Sequence, residues 1–541
     1  MDDKEVFKFW KEVSPESAFS SGINECTATL FIPSYQNVRK ALARIDALVP
    51  HADPVAKRFL LAEKRGLMRE EPQDAPDQIM GVFYTHLVKE GVNEKHVLSL
   101  AEQSLNSLGV QEHLWEKDWP VELQIFSAQS CDGASMLLEI IKKECKKEEV
   151  KEAIIAVQNR LKLWKQNTCK VKAGSDFSKT FPLLQKHSKG LGRKKEYPGL
   201  IKELYAYLET PDEIERKALS WIDEELPAFN EILNRLAHQY RCKPSVEDIN
   251  KALEKHQHIP LKDLVNVTKE LRTLLQKIAH EEWVQITPKY DVRVIETPKY
   301  LVPFLPTAAM QPFDGLTKKP FCISFVTTDP KASPSTFLPA LVQTLVHEEY
   351  GHCVNFMDSF TNPAIRTVEI MGSTLDTPIT EGISFFREVE STRTFERIKK
   401  KGAASAKEKK LVKLIEKFCP FAAFVDGMHF EVAQWRMVRF LRAVSDVRLN
   451  LEKQTFPELI DWAHQKTGLS KKLVFDQTFH FQQNPGYAPC YSVFGQRLRE
   501  FQKQAIKKGF SQVEFNTFVA SSGFPARDIF EARLKKKFGL S

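Results

Sequence analysis

The chain lacks any run of about 18 apolar residues, so no segment reads as a membrane-spanning helix. Its first residues, MDDKEVFKFWKEV, start acidic and lack the basic-then-apolar order of a signal peptide. No cysteine pair is spaced as CxxC. The nine cysteines (Cys26, Cys131, Cys145, Cys169, Cys242, Cys322, Cys353, Cys419 and Cys490) are odd in number and scattered, which suits free thiols in a reducing cytosol better than disulfides or a thiolate metal site. Repeats of fixed period and long low-complexity tracts are missing, which argues against a solenoid or a flexible tail. Basic residues exceed acidic ones by 78 to 70, a net +8 too diluted over 541 residues to imply nucleic acid, and no RNA- or DNA-binding motif accompanies it. Together these absences predict a cytoplasmic protein with neither a membrane nor a nucleic-acid partner. Oligomeric state leaves no mark on the sequence.

What is present is a large globular balance: 42% hydrophobic and 27% charged residues, with a mean hydropathy of −0.34. That length exceeds one ordinary core, so two regions or one large helical body with a cleft are expected. From residue 1 to about 285 the apolar residues recur at three- and four-residue spacing, which predicts a succession of amphipathic helices. Thr210-Pro211-Asp212-Glu213 has the makings of a capped helix start, with Ile214, Ala218, Trp221 and Ile222 facing inward and Pro227 kinking or splitting the helix. The basic stretches 186–195 and 397–410 read as exposed loops.

The texture changes at about residue 286. β-Branched and aromatic runs broken by proline and Asp314-Gly315 predict two or more short strands between Tyr290 and Thr328, and helical spacing returns after Pro334. The expectation is therefore a mainly α protein. A helical N-terminal region spans 1–285, and a catalytic region over 286–541 includes a small sheet.

The most informative segment is LVQTLVHEEYGHCVNF, in which an apolar helical run enters His347-Glu348-Glu349-Tyr350-Gly351-His352. In the usual HExxH metal motif the histidines are four apart, roughly 400° around the axis and so nearly on one face. Here they are five apart, about 140° out of line on a regular α-helix. Either the match is accidental or the helix carries one extra residue as a π-bulge, for which Gly351 is a plausible place. Downstream, TEGISFFREVE forms a second helical pattern, with Glu381 near its start and Glu388 about two turns later on the same face. His347, His352 and Glu381 would give two nitrogens and one carboxylate, the donor set of a catalytic zinc with its fourth position open to water. One zinc per chain is the expectation.

These residues resemble the gluzincin metallopeptidases, and the HExxxH spacing is similar to that of dipeptidyl peptidase III. Over about residues 200–541 the order of segments resembles the carboxypeptidase-like family known as domain of unknown function 885: PKYLVPFLPTAAMQPFDG, the histidine motif, EGISFFRE, GMH and NPGYAPCYSVFGQ. The last of these is also similar to the tyrosine segment of thimet-type oligopeptidases, in which a tyrosine polarises the substrate. The resemblance implies a helical body with a deep groove and zinc-dependent hydrolysis of short peptides, by a carboxypeptidase or an oligopeptidase. Glu348 would be the general base, and Tyr491 the first candidate to stabilise the oxyanion, followed by Tyr487, His429 and His480. Glu388 would orient a ligand imidazole. The strand near Phe321–Thr327 would be a candidate to pair with an extended peptide. Two other readings stay open: a zinc hydrolase of a non-peptide amide or ester, and a peptidase-derived scaffold keeping zinc for structure.

Overall fold

In a computed structural model, residues 3–540 are described apart from 173, 175, 300, 303, 304, 306, 307 and 331–335. The protein is mainly α-helical, with one small sheet. Part of the PKYLVPFLPTAAMQPFDG segment falls outside the described residues.

The elements that build the site begin with α1 (Pro211–Tyr240), whose Thr210–Glu213 capping box satisfies the first turn. Ile214, Ala218 and Ile222 are buried as the spacing requires, whereas Trp221 is half-buried. Pro227 lies inside this helix without ending it. Next come α2 (Leu261–Glu282) and strands β1 (Val292–Glu296), β2 (Ala308–Phe313) and β3 (Phe321–Val326). The strand order is β1-β3-β2, with β1 parallel and β2 antiparallel to β3. β3 is thus the central strand, and both of its edges are occupied by backbone pairing. The expected free edge at Phe321–Thr327 is not there; among the described residues the edge strands are β1 and β2.

α3 (Leu338–Leu345) runs directly into a π-helical turn, Val346–Cys353, and on into α4 (Val354–Thr361). Three helices then surround this rod: α5 (Asp376–Lys401), α6 (Phe421–Asn450) and α7 (Cys490–Lys507). Val346, Tyr350 and Val354 face a core shared with Leu271 and Leu275 of α2 and with Phe395, Phe424 and Met428. That leaves the opposite face of the turn for polar chemistry. Other apolar clusters draw on both sides of residue 285: Phe126, Tyr197 and Ile214 pack with Phe440, Val444 and Tyr491, and Trp10 packs with Val368 and Met371.

Most of 186–195 is exposed, as its composition predicts, although Leu191 and Arg193 are buried within it, whereas 397–410 is largely helical where a loop was expected. Arg193 is buried, bonding Glu71 with both Nε and Nη2 and the Gln482 carbonyl with Nη1 at 2.6 Å. In the second stretch, the end of α5 and a new helix at Ala406–Ile415 leave only a short connection, and Arg397 joins Glu282 to Glu408. Composition marks a lysine-rich segment as wet. A single guanidinium that finds a carboxylate overrides it.

Several buried carboxyls are held above their ordinary range by desolvation: Glu349, Asp358 and Asp446 at about 7 and Glu431 at about 8. Their contribution to stability is full below the unfolded carboxyl pKa and is lost as pH rises through 7 to 8. Glu71 and Glu209 have the opposite sign. Burial raises them, but Arg193 and Arg527 respectively outweigh it and hold each at about 2, so their contribution disappears only as pH falls toward that value. The metal-free chain should therefore be most stable near the ordinary carboxyl range, at about pH 4.5. Thermal unfolding in the presence of chelator should give a lower midpoint at pH 8 than at pH 5.5, and the reverse order would contradict these carboxyl assignments.

Candidate metal centre

The five-residue spacing of the histidines is resolved by the π-helical turn, which covers the whole motif from Val346 to Cys353. The extra residue rotates His352 back toward His347, so that their rings meet edge to face with centroids 4.8 Å apart. Gly351 is required here for close approach: a Cβ on it would lie 2.7 Å from the Cα of Ser384 and closer still to its hydroxyl. α5 can therefore press against the turn. α7 approaches α5 in the same way, since a Cβ on Gly382 would strike Phe494 at 2.7 Å and one on Gly495 would lie 3.0 Å from the Gly382 carbonyl.

This packing delivers Glu381 to the histidines. Its Oε2 lies 3.5 Å from Nε2 of His347 and 3.5 Å from Nε2 of His352. The donor atoms of the three residues all fall within 4.8 Å of one another, and the side chains are about nine-tenths buried. Metal–donor bonds of about 2.0–2.2 Å place tetrahedral donors about 3.3–3.6 Å apart, so this triangle fits a small tetrahedral ion such as zinc. Glu381 Oε2 is buried and has no hydrogen-bond partner. A buried carboxylate oxygen left bare between two imidazole nitrogens is what a metal ligand looks like without its metal.

The surrounding groups orient these donors. Glu388 accepts a 2.7 Å hydrogen bond from Nδ1 of His347, which directs that ring's Nε2 lone pair into the cluster. Its other oxygen pairs with Arg439. Burial lowers the His347 pKa, but the nearby Glu381 carboxylate and the bond to Glu388 outweigh it and hold the imidazole at about 9 in the metal-free protein. Burial also raises Glu381, yet the charge of His352 and the nearness of both imidazoles keep it well below the ordinary carboxylate range.

Tyr487 donates a 2.5 Å hydrogen bond to Glu381 Oε1. A phenol has one proton, so at the 2.9 Å contact between Tyr487 and Tyr491 the proton comes from Tyr491. Tyr487 is thereby committed to the ligand carboxylate, while the Tyr491 proton remains free to be redirected. The Tyr491 ring stacks 6.2 Å from that of His347, and burial raises its hydroxyl pKa further, keeping it a donor.

The two neighbouring glutamates are told apart by burial. Glu348 is half-exposed and adjoins His347 in the sequence. Glu349 is buried, and there Arg272 Nε donates to it at 2.6 Å and the Tyr290 hydroxyl at 3.1 Å.

The structure does not bring the two remaining histidine candidates to this cluster. His429 faces Glu396 at 3.5 Å and sits ten residues before Arg439 on α6, about 15 Å along the axis. His480 is exposed on a short turn, because Phe479 and Gln482 take its inward side. Sequence reasoning missed Arg439 and Arg442. The signal was there in WRMVRFLRAV, where arginines recur at three-residue spacing along an otherwise apolar helix. A surface depression of about 630 Å³ lies along α1 beside Asp212 and Asp223 and holds none of these groups.

No protein-family model matches the chain, and no curated protein does. Solved structures do. One from Colwellia psychrerythraea, described as a "putative lipoprotein", has a TM-score of 0.65 at 13% identity and covers 99% of this chain and 99% of its own. Another from Shewanella oneidensis, similarly described and of unknown function, has a TM-score of 0.64 at 14% identity over 98% of each chain. At such identity the likeness is one of fold.

Purified protein should carry one zinc per chain. His347→Ala or Glu381→Ala should lose it, and Glu388→Gln should weaken it by about 10- to 100-fold through the reoriented imidazole. Metal analysis with chelator competition is the measurement; stoichiometric zinc surviving in the His347→Ala, Glu381→Ala double variant would place the ligands elsewhere.

Proposed function

We propose that the chain is a zinc-dependent peptidase of the gluzincin kind, hydrolysing short peptides. The observation that carries this reading is the convergence of His347, His352 and Glu381 on one point, with Glu348 adjoining His347 in sequence and the Tyr491 ring 6.2 Å from that of His347. A zinc ion bound by the three residues would act as a Lewis acid and lower the pKa of water to about 7. Glu348 on this reading accepts the proton of the attacking water and passes it to the leaving amine. Tyr491 donates to the oxyanion that forms on the carbonyl. Tyr487 holds Glu381, and Glu388 with Arg439 holds His347, so the chain carries its own preorganisation.

Substrate is held on this reading by β2, the edge strand that lies against the π turn, in place of β3. The nine cysteines are all unpaired, which supports a reducing compartment such as the cytoplasm. No described helix is long and apolar enough to cross a membrane.

Glu348→Gln should keep zinc and fold while losing nearly all turnover, since an amide cannot take the proton. Glu349→Gln should lower the melting temperature through its Arg272 pair and leave kcat within a few-fold. Steady-state kinetics beside thermal unfolding separates the two. Reversal of these effects would mean that Glu349, not Glu348, is the base.

Tyr491→Phe should reduce kcat by about 10²- to 10³-fold with little change in KM, the expected cost of losing one oxyanion donor. Wild-type kcat in this variant would return Tyr491 to packing.

A further inference from the structure

Six arginines among the described residues are buried: Arg193, Arg387, Arg436, Arg439, Arg442 and Arg527. Five of them have a carboxylate within ion-pair distance: Glu71, Glu390, Glu225, Glu388 and Glu209 respectively, in chain order and omitting Arg442. Arg442 has none. Its Nε donates to the Gln477 carbonyl at 3.1 Å and its Nη2 to the Gln477 side chain. The guanidinium lies over the Phe481 ring at 3.8 Å and 5.9 Å from the Tyr491 ring. A charge taken out of water without a counter-ion is costly, and this fold supplies a counter-ion everywhere else. Burial, helped by the charge of Arg439 nearby, lowers Arg442 to about 10, a cost that an arriving anion would reduce.

The position of the guanidinium says which anion. The Tyr491 ring lies 6.2 Å from the His347 ring and 5.9 Å from the Arg442 guanidinium. The guanidinium is therefore no more than about 12 Å from the His347 ring, the span of three to four extended residues. Resting on the peptidase reading above, we propose that Arg442 binds a carboxylate of the substrate on the leaving side of the scissile bond, in the first place the free C-terminus. The enzyme then removes one to three residues from the end of a peptide. Arg442 has the geometry for it, since a planar guanidinium with its Nε–Nη2 edge tied to Gln477 and one face on Phe481 is preoriented to offer its Nη1–Nη2 edge to a carboxylate fork.

The test pairs peptides of five to eight residues as free acids, as C-terminal amides, and as amides ending in aspartate, on wild type, Arg442→Gln and Arg442→Lys. Wild type should prefer acid to amide by about 10- to 150-fold in kcat/KM, mostly through KM, which is the worth of one charge-assisted hydrogen bond. Arg442→Gln should bring the ratio close to one, and Arg442→Lys should keep part of it. The Arg442→Gln variant should melt no lower than wild type, because no acid is orphaned by the change. Rescue by the aspartate amide in wild type alone would identify a side chain as a second source of the same carboxylate. A preference that survives Arg442→Gln, or equal cleavage of acids and amides by wild type, overturns the proposal while leaving the peptidase reading intact. A second arm needs no turnover: calorimetry of N-acetylphenylalanine against N-acetylphenylalaninamide. With no peptide cleaved at all, selective binding of the acid that disappears in Arg442→Gln would uphold Arg442 and sink the peptidase reading; indifference to the carboxylate would sink Arg442.

Discussion

Two histidines five residues apart on one helix cannot reach a common point while the helix keeps 3.6 residues per turn. The centre depends on relieving that constraint, and the relief is tertiary. A π turn is a poor helix by itself, with looser packing about its axis. It persists here because Val346, Tyr350 and Val354 are locked into the core on one side and Gly351 admits the backbone of α5 on the other. The same close approach brings Glu381 within 3.5 Å of both imidazoles. Under-winding, glycine and carboxylate are one arrangement.

Around the turn, polar groups are sorted by face. On the cluster side two of the three donors have a partner that orients them: Glu388 and Arg439 for His347, and Tyr487 for Glu381. On the far side Glu349 is tied to Arg272 and Tyr290, which anchors the turn to α2 and to the residues preceding β1. The tyrosine segment is held from further away. Asp446 accepts from the Gly486 backbone and from the Tyr197 hydroxyl, and Arg193 with Glu71 binds the Gln482 carbonyl. Residues far to the N-terminal side of 285 thus set the position of Tyr487 and Tyr491.

Much of the fold was legible because its causes are local. The capping box at Thr210, the apolar spacing of α1 and the β-branched runs before Thr328 act over a few residues and appear where the pattern puts them. Their limits were local too. Pro227 looked like a break, yet tertiary packing carries α1 through it. A strand near Phe321 was legible, but its place in the sheet was not, and only the partner order shows that β3 is central.

For the site, the sequence by itself singled out His347, His352 and Glu381 as a candidate donor set, because ligand chemistry restricts the residue types and their helical offsets. It also required that, if the two histidines were to meet, an extra residue be absorbed in the motif. Which other side chains lie near them was decided by tertiary structure alone. His429 and His480 have suitable chemistry but other surroundings, whereas Arg439 and Arg442, which sequence reasoning passed over, are buried close to Tyr491. The physical reason is that a side chain's chemistry is written in one letter. Its dielectric surroundings, its partner and its direction depend on segments tens or hundreds of residues away.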